Sequence, residues 1–196
     1  MKAIPRIAIF ASGSGSNAQR IAEYFAGKGL LEITAIYCNN PKAYVLERAK
    51  LLGIPSVLFD RDNFYNTTSI LEDLKRRETD WIVLAGFLWL IPESILKAFP
   101  QRIINIHPAL LPAFGGKGMF GMKVHQAVIA SGDKESGITI HYVNEHYDEG
   151  NIVFQARCPI SNEDTPEMLA AKIHELEYEH FPVVIGKLVG GAVENS

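Results

Sequence analysis

RIAIFASGSGSN, Arg6 to Asn17, is an apolar run of strand length that breaks into alternating serine and glycine before a helix-period segment reaching about Ala26. A run with no polar face suits a strand covered on both sides, as in a parallel sheet flanked by helices. The same rhythm recurs downstream. Glu32–Cys38 reads as a second strand closed by Asn39-Asn40-Pro41, and a helix over Val45–Leu52 stops at Gly53. Pro55–Phe59 reads as a third strand and Ser69–Arg77 as an amphipathic helix. Trp81–Ala85 and Arg102–Ile106 are further buried strands separated by a short helix around Glu93–Phe99. Strand–helix–strand repetition of this kind specifies right-handed crossovers in a parallel sheet.

After Pro108 the rhythm changes. A glycine-rich loop, Gly115–Gly121, precedes a helix over Val124–Ser131, and two longer strands follow at Gly137–Val143 and Ile152–Pro159. The polar stretch NEHYDEGN between them fits a hairpin-like or a crossover connection. Thr165–Leu188 reads as one long helix with Thr165 as cap, Pro166 at the first position and a kink at Pro182. The expected fold is α/β: a single Rossmann-like domain with a mainly parallel sheet, a mixed C-terminal part and a long C-terminal helix.

The chain has 196 residues, a length expected for one domain at about 100–200 residues per domain. Its 47% hydrophobic and 21% charged residues exclude a largely disordered chain. Lys and Arg number 19 against 22 acids, a net charge of −3 with no basic run, which speaks against a nucleic-acid partner. Cys38 and Cys158 each lie in an apolar strand-like run and build neither a disulfide framework nor a metal motif. The only apolar run near Met1 is too short for a signal segment or a membrane span. A cytoplasmic protein with no membrane partner is the expectation.

Several stretches can carry chemistry. Ser12–Asn17 lies between a strand and a helix, where glycines permit close backbone approach and the first helical N–H groups favour an anion. Ala18 stands where a dinucleotide fingerprint needs its third glycine, and the lysine of a P-loop is missing, so a monophosphate fits better. The competing account is a plain turn with Ser16 as N-cap. Asn105-Ile-His-Pro108 ends the fifth strand, and residues two apart face the same side. Asn105 and His107 can therefore share a cavity, stabilise an oxyanion and exchange a proton, or can simply be satisfied strand-end groups. Asp148-Glu149-Gly150, near His141 and His146, offers a carboxylate to hold His107 protonated, or a solvated acidic turn. Gly86–Pro92 is a slot for a flat heterocycle or a core-facing loop. Gly115–Gly121 is a lid or a plain connection. No metal-ligand spacing occurs.

Together these motifs resemble the glycinamide ribonucleotide formyltransferase (phosphoribosylglycinamide formyltransferase) family. That family carries an SGxGSN loop, an LAGF segment, an NIHP-x-LLP run and a D-x-G element, here Ser12–Asn17, Leu84–Phe87, Asn105–Pro112 and Asp148–Gly150. The likeness runs from about Arg6 to Leu188. It implies formyl transfer from 10-formyltetrahydrofolate to the amine of glycinamide ribonucleotide in purine synthesis, without a metal, by a monomer or homodimer. It divides the domain, residues 1–196, into a phosphate-binding half (about 1–100) and a folate and catalytic half (about 101–196).

By the same resemblance Asn105, His107 and Asp148 are catalytic, and Gly15, Ser16 and Asn17 bind the phosphate. His174 and Glu177 contact the ribonucleotide. Leu88, Trp89, Leu90 and Ile91, with Asn144, Glu145, His146, Tyr147, Asp148 and Asn105, surround the pterin, and Arg61 meets the folate tail. Trp89 stands where the family commonly has arginine. Methionyl-tRNA formyltransferase shares the folate half but needs a further RNA-contacting domain. Formyltetrahydrofolate hydrolase carries a regulatory domain before the first strand, which begins here at Arg6. A non-catalytic nucleotide-binding module is a third reading, against which Asn105, His107 and Asp148 together argue.

Overall fold

The structure is a computed structural model and describes residues 4–191. The apolar runs become β1 (Arg6–Ala11), β2 (Glu32–Cys38), β3 (Ser56–Leu58), β4 (Trp81–Leu84), β5 (Ile103–His107), β6 (Glu135–Tyr142) and β7 (Ile152–Pro159). They form one seven-stranded sheet in the order β3-β2-β1-β4-β5-β6-β7. β1 to β5 pair in parallel. β6 runs antiparallel to β5, and β7 antiparallel to β6, so the 143–151 connection is of the hairpin kind.

The strands of the parallel part alternate between two cores. Ile7, Ile9 and Ala11 face one side, where α1 (Ser16–Phe25), α2 (Val45–Leu51), α6 (Met122–Ser131) and α7 (Pro166–Val189) supply Ile21, Ala49, Val128 and Phe181. Ala8 and Phe10 face the other, beneath α3 (Arg61–Tyr65), α4 (Ser69–Arg76) and α5 (Glu93–Ala98), which contribute Phe64, Leu74 and Ile95. Each fully buried large apolar side chain contributes about 1.5–3 kcal/mol relative to exposure. With both faces covered, the strands need no polar alternation, as IAIF and WIVL show.

Some boundaries differ from the sequence reading. α3 was not expected; it forms because the Asp60 side chain accepts from the Asn63 N–H at 2.8 Å and so caps a single turn. β5 extends through His107, which places Asn105 and His107 on the same face. α7 runs without interruption through Pro182. Proline lacks the N–H that would serve the Tyr178 carbonyl one turn earlier, and the Arg20 guanidinium donates to that carbonyl instead, at 3.2 Å.

The chain leaves β1 toward β2 on one side and returns to β4 on the other. The crevice beyond the carboxyl ends of β1 and β4 is thus the switch point at which open α/β sheets bind ligands. No described helix is long and apolar enough to cross a membrane.

Candidate active site

A cavity of about 590 Å³ occupies that crevice. Its walls are Ser12–Asn17 after β1, Ala85–Leu88 after β4, Asn105–Pro108 at the end of β5, Gly116–Gly121, and His174 and Glu177 of α7. A volume in the range about 300–1,000 Å³ is typical of small-molecule sites.

The loop after β1 is clamped to the end of β4. Ser12 N–H donates to the Gly86 carbonyl at 3.0 Å, and Ser12 Oγ accepts from Leu88 N–H at 3.1 Å. Ser16 does not cap α1. Gly15 holds the cap position in the left-handed conformation, φ 76°, and no side chain bonds to the first turn. A Cβ on Gly15 would lie 2.3 Å from Val45 Cγ2, so glycine is required by both conformation and space. The uncapped first turn faces the cavity and favours an anion. Asn17 Nδ2 donates to Glu177 Oε2 at 2.9 Å, and the same oxygen accepts from His174 Nδ1 at 2.9 Å. The hydrogen bond to Glu177 raises the His174 pKa above its ordinary value despite partial burial. Asn17 Oδ1 is buried without a hydrogen-bond partner among the described residues.

Asn105, His107 and Asp148 meet on the cavity floor. Asn105 Nδ2 lies 3.4 Å from Asp148 Oδ1, and His107 Nδ1 lies 3.5 Å from Asp148 Oδ2. The antiparallel register pairs Asn105 directly with His141, whose Nε2 is 3.1 Å from Asn105 Nδ2. His141 Nδ1 faces the Tyr142 carbonyl at 2.8 Å, and a carbonyl only accepts. Nδ1 therefore carries a proton, and Nε2 faces both the Asn105 amide and Asp148 Oδ1 at 3.6 Å, accepting from the first when bare and donating to the second when protonated. By the same logic His107 Nε2 carries a proton toward the Phe114 carbonyl at 2.8 Å. Asp148, itself at φ 57°, receives the Gly116 N–H on Oδ2 at 3.0 Å.

Burial pushes the Asp148 carboxyl up, but His141, His107 and the Gly116 N–H outweigh it and hold the group below the usual carboxylate range. For His107 burial is the largest influence, and it lowers the pKa more than Asp148 raises it. The resting imidazole is thus on the neutral side, where the sequence reading expected it protonated. The long contacts within this group are of the kind that exchange for bonds to reacting atoms when a substrate enters.

The residues expected around a heterocycle divide between two places. Leu88 lines the large cavity. Trp89, Leu90, Ile91 and His146 line a smaller one of about 50 Å³, and Tyr147 lines both, as do Phe87, Asn105 and Asp148. Tyr65 Oη donates to the Leu90 carbonyl at 2.9 Å, fixing this wall. Arg61 lines neither cavity; its guanidinium lies over the rings of Tyr65 and Trp89, at 5.0 and 5.9 Å. Asn144 and Glu145 line neither: Asn144 Oδ1 accepts from the His146 N–H at 3.0 Å, and Glu145 is exposed.

One lining residue escaped the sequence reading, and another lies in the Gly115–Gly121 loop that it singled out. His125 of α6 is 3% exposed, and its Nδ1 has no partner among the described residues. Burial lowers its pKa, and nearby His174 lowers it further. A histidine on the apolar face of a helix was the available signal. Lys117 is the only lysine or arginine among the described residues lining the large cavity. Among the described residues, no group of three or more His, Cys, Asp or Glu is arranged to hold a metal ion.

Comparison with known proteins adds to this geometry. A model of the formyl transferase family matches residues 5–185. The chain is 43% identical over 189 residues to the chloroplastic phosphoribosylglycinamide formyltransferase of Vigna unguiculata, covering 93% of this chain and 60% of that protein. It therefore spans less than two thirds of the length of that plant relative. It is 38% identical over 190 residues to phosphoribosylglycinamide formyltransferase of Bacillus subtilis, covering 94% of this chain and 95% of that one. In structure it is similar to glycinamide ribonucleotide transformylase 1 from Symbiobacterium toebii, with TM-score 0.89 and 32% identity over 100% of this chain and 92% of that one.

Proposed function

The chain belongs to the formyl transferase family, and on that premise we propose that it moves the formyl group of 10-formyltetrahydrofolate to the amine of glycinamide ribonucleotide. The observation that carries this reading is one cavity in which an uncapped, glycine-rich helix entrance and the Asn105, His107 and Asp148 group meet.

In this reading the phosphate of the acceptor rests on Gly15, Ser16 and Asn17, and the ribose lies toward His174 and Glu177. The amine then attacks the formyl carbon above Asn105 and His107. The oxygen that gains charge takes hydrogen bonds from the Asn105 amide and from His107 Nδ1 once that nitrogen has taken up the proton of the amine. Losing one such donor costs about 10²–10³ in rate. Asp148 receives the proton released by the amine or stabilises the imidazolium that carries it, and the departing N10 takes a proton in return. No covalent bond to the protein forms.

The folate ring enters the smaller cavity, whose apolar walls and polar floor of Asn105, His141 and Asp148 suit a flat heterocycle with ring nitrogens. At about 50 Å³ this space is smaller than the ring, so in this reading the walls move apart when the folate binds. Arg61, stacked on Trp89, then lies beside the exit and offers its charge to the carboxylates of the tail.

The test is spectroscopic loss of the formyl group from 10-formyltetrahydrofolate with and without glycinamide ribonucleotide. Loss that requires the ribonucleotide supports the reading. Equal loss without it indicates a hydrolase, and no loss with either indicates a binding module; both overturn it.

A further inference from the structure

The loop that receives the phosphate does not shape itself. Three consecutive carbonyls, those of Ser12, Gly13 and Ser14, are each held from the same neighbouring segment. Asn40 Nδ2 donates to Ser12 O at 3.3 Å, Val45 N–H to Gly13 O at 3.1 Å, and Arg48 Nε to Ser14 O at 2.9 Å. A trans peptide is planar, and its C=O and the following N–H point in opposite directions. Drawing three carbonyls toward residues 40–48 therefore turns the N–H groups of Gly13, Ser14 and Gly15 the other way. Among the described residues, no hydrogen bond is made by the N–H groups from Gly13 to Ala18.

A run of free N–H groups converging on one side is a nest for an anion. It opens into the cavity that also holds the nine-tenths buried Asn17, whose Oδ1 awaits a donor. Arg48 is itself gripped from two further sides. It donates to the Gln19 side chain of α1 and lies over the Tyr44 ring at 5.0 Å. Its charge is thus spent on orienting Ser14 and α1 rather than on lining the large cavity, which it does not border.

We infer that Arg48 and Asn40 are positioning residues for the phosphate of the acceptor, acting by turning the Gly13–Gly15 peptides toward it. The inference rests on the proposed use of a phosphorylated acceptor.

The experiment compares wild-type, Arg48→Met, Arg48→Lys and Asn40→Ala proteins in steady-state turnover, with inorganic phosphate as an inhibitor competing with the acceptor. Binding of inorganic phosphate is also measured without turnover, by amide shifts of Gly13–Asn17, and thermal melting checks folding. Arg48→Met is expected to raise the acceptor KM and the phosphate inhibition constant together, about tenfold or more, the scale of a lost hydrogen bond from a charged donor. The donor KM and kcat stay within about twofold. Asn40→Ala is expected to act in the same direction and more weakly, as a neutral donor at longer distance. Arg48→Lys keeps the charge but loses the planar grip on Ser14 and Gln19, and is expected to rescue less than half of the loss.

Full rescue by lysine would overturn the inference, because charge alone would then suffice. Unchanged acceptor KM and phosphate binding in a folded Arg48→Met protein would overturn it too, as would an equal rise in both substrates' KM. If wild-type protein binds phosphate on these amides and Arg48→Met does not, while neither turns over the ribonucleotide, the nest stands and the proposed acceptor fails.

Discussion

Replacing Asp148 by asparagine isolates the charge at the centre of the site. The amide has nearly the same shape, and its oxygen can still accept the Gly116 N–H that now reaches Asp148 Oδ2 at 3.0 Å. Its NH2 group can donate to His141 Nε2, which lies 3.6 Å from Asp148 Oδ1. What disappears is the negative charge 3.5 Å from His107 Nδ1. At an effective dielectric of about 20, a unit charge pair at that distance is worth about 5 kcal/mol, or between about three and four orders of magnitude in rate if the imidazolium forms only in the transition state. The expected result is a fall in kcat of about 10²–10⁴ with little change in either KM. Melting temperature should also fall at neutral pH, because a carboxylate held below its usual pKa contributes stability there that an amide does not. Single-turnover formyl transfer, followed by tetrahydrofolate absorbance alongside calorimetric melting, reads both quantities. A kcat within about threefold of wild type in a folded protein would refute the reasoning and remove Asp148 from the chemistry.

Three further outcomes follow from other contacts. Gly15→Ala puts a methyl group 2.3 Å from Val45 Cγ2 at a left-handed φ; chemical denaturation should show a loss of about 2–5 kcal/mol, together with weaker acceptor binding. Gly116→Ala forces an alanine into φ 94°, so the N–H that holds Asp148 is misplaced; kcat should fall and stability drop by about 1–2 kcal/mol, and an unaltered kcat would show that the 114–121 loop is not needed for turnover. His174 has its pKa raised by Glu177, so its stabilising contribution is fully present below the ordinary imidazole pKa of about 6.5 and fades as pH rises through the raised value. His174→Gln should therefore cost more stability near about pH 5.5 than near about pH 9, read by denaturant titration at both, and a cost independent of pH would contradict the pair.

Much of the architecture can be read along the chain because it depends on local periodicity. Runs such as RIAIF and WIVL have no polar face, and a strand like that is stable only between two helical layers. SGSGSN at the end of the first of them, and NIHP at the end of the fifth, mark the ligand side of the sheet for the same reason. The short α3 escaped because one Asp60 cap, not periodicity, holds it. Expectations about the 86–92 stretch were divided by packing: Ile91 belongs to the aromatic core with Phe10 and Phe64, while Leu88 turns outward to the large cavity.

The order of strands and helices, the glycine required at position 15 and the polar residues at strand ends are thus written in local patterns of side-chain size, charge and backbone freedom. The meeting of those residues is not. Asn17 bonds to Glu177 across 160 residues, and Asn105 reaches His141 only because β6 turns antiparallel and pairs the two positions. His107 lies on the neutral side because the folded interior around it excludes water, which no spacing encodes. His125 lines the cavity because α6 packs beside α7 at its wall. Periodicity is a property of neighbours along the chain, whereas proton affinity and convergence depend on distances through space, and those exist only once the sheet has closed its register and the helices have settled on it.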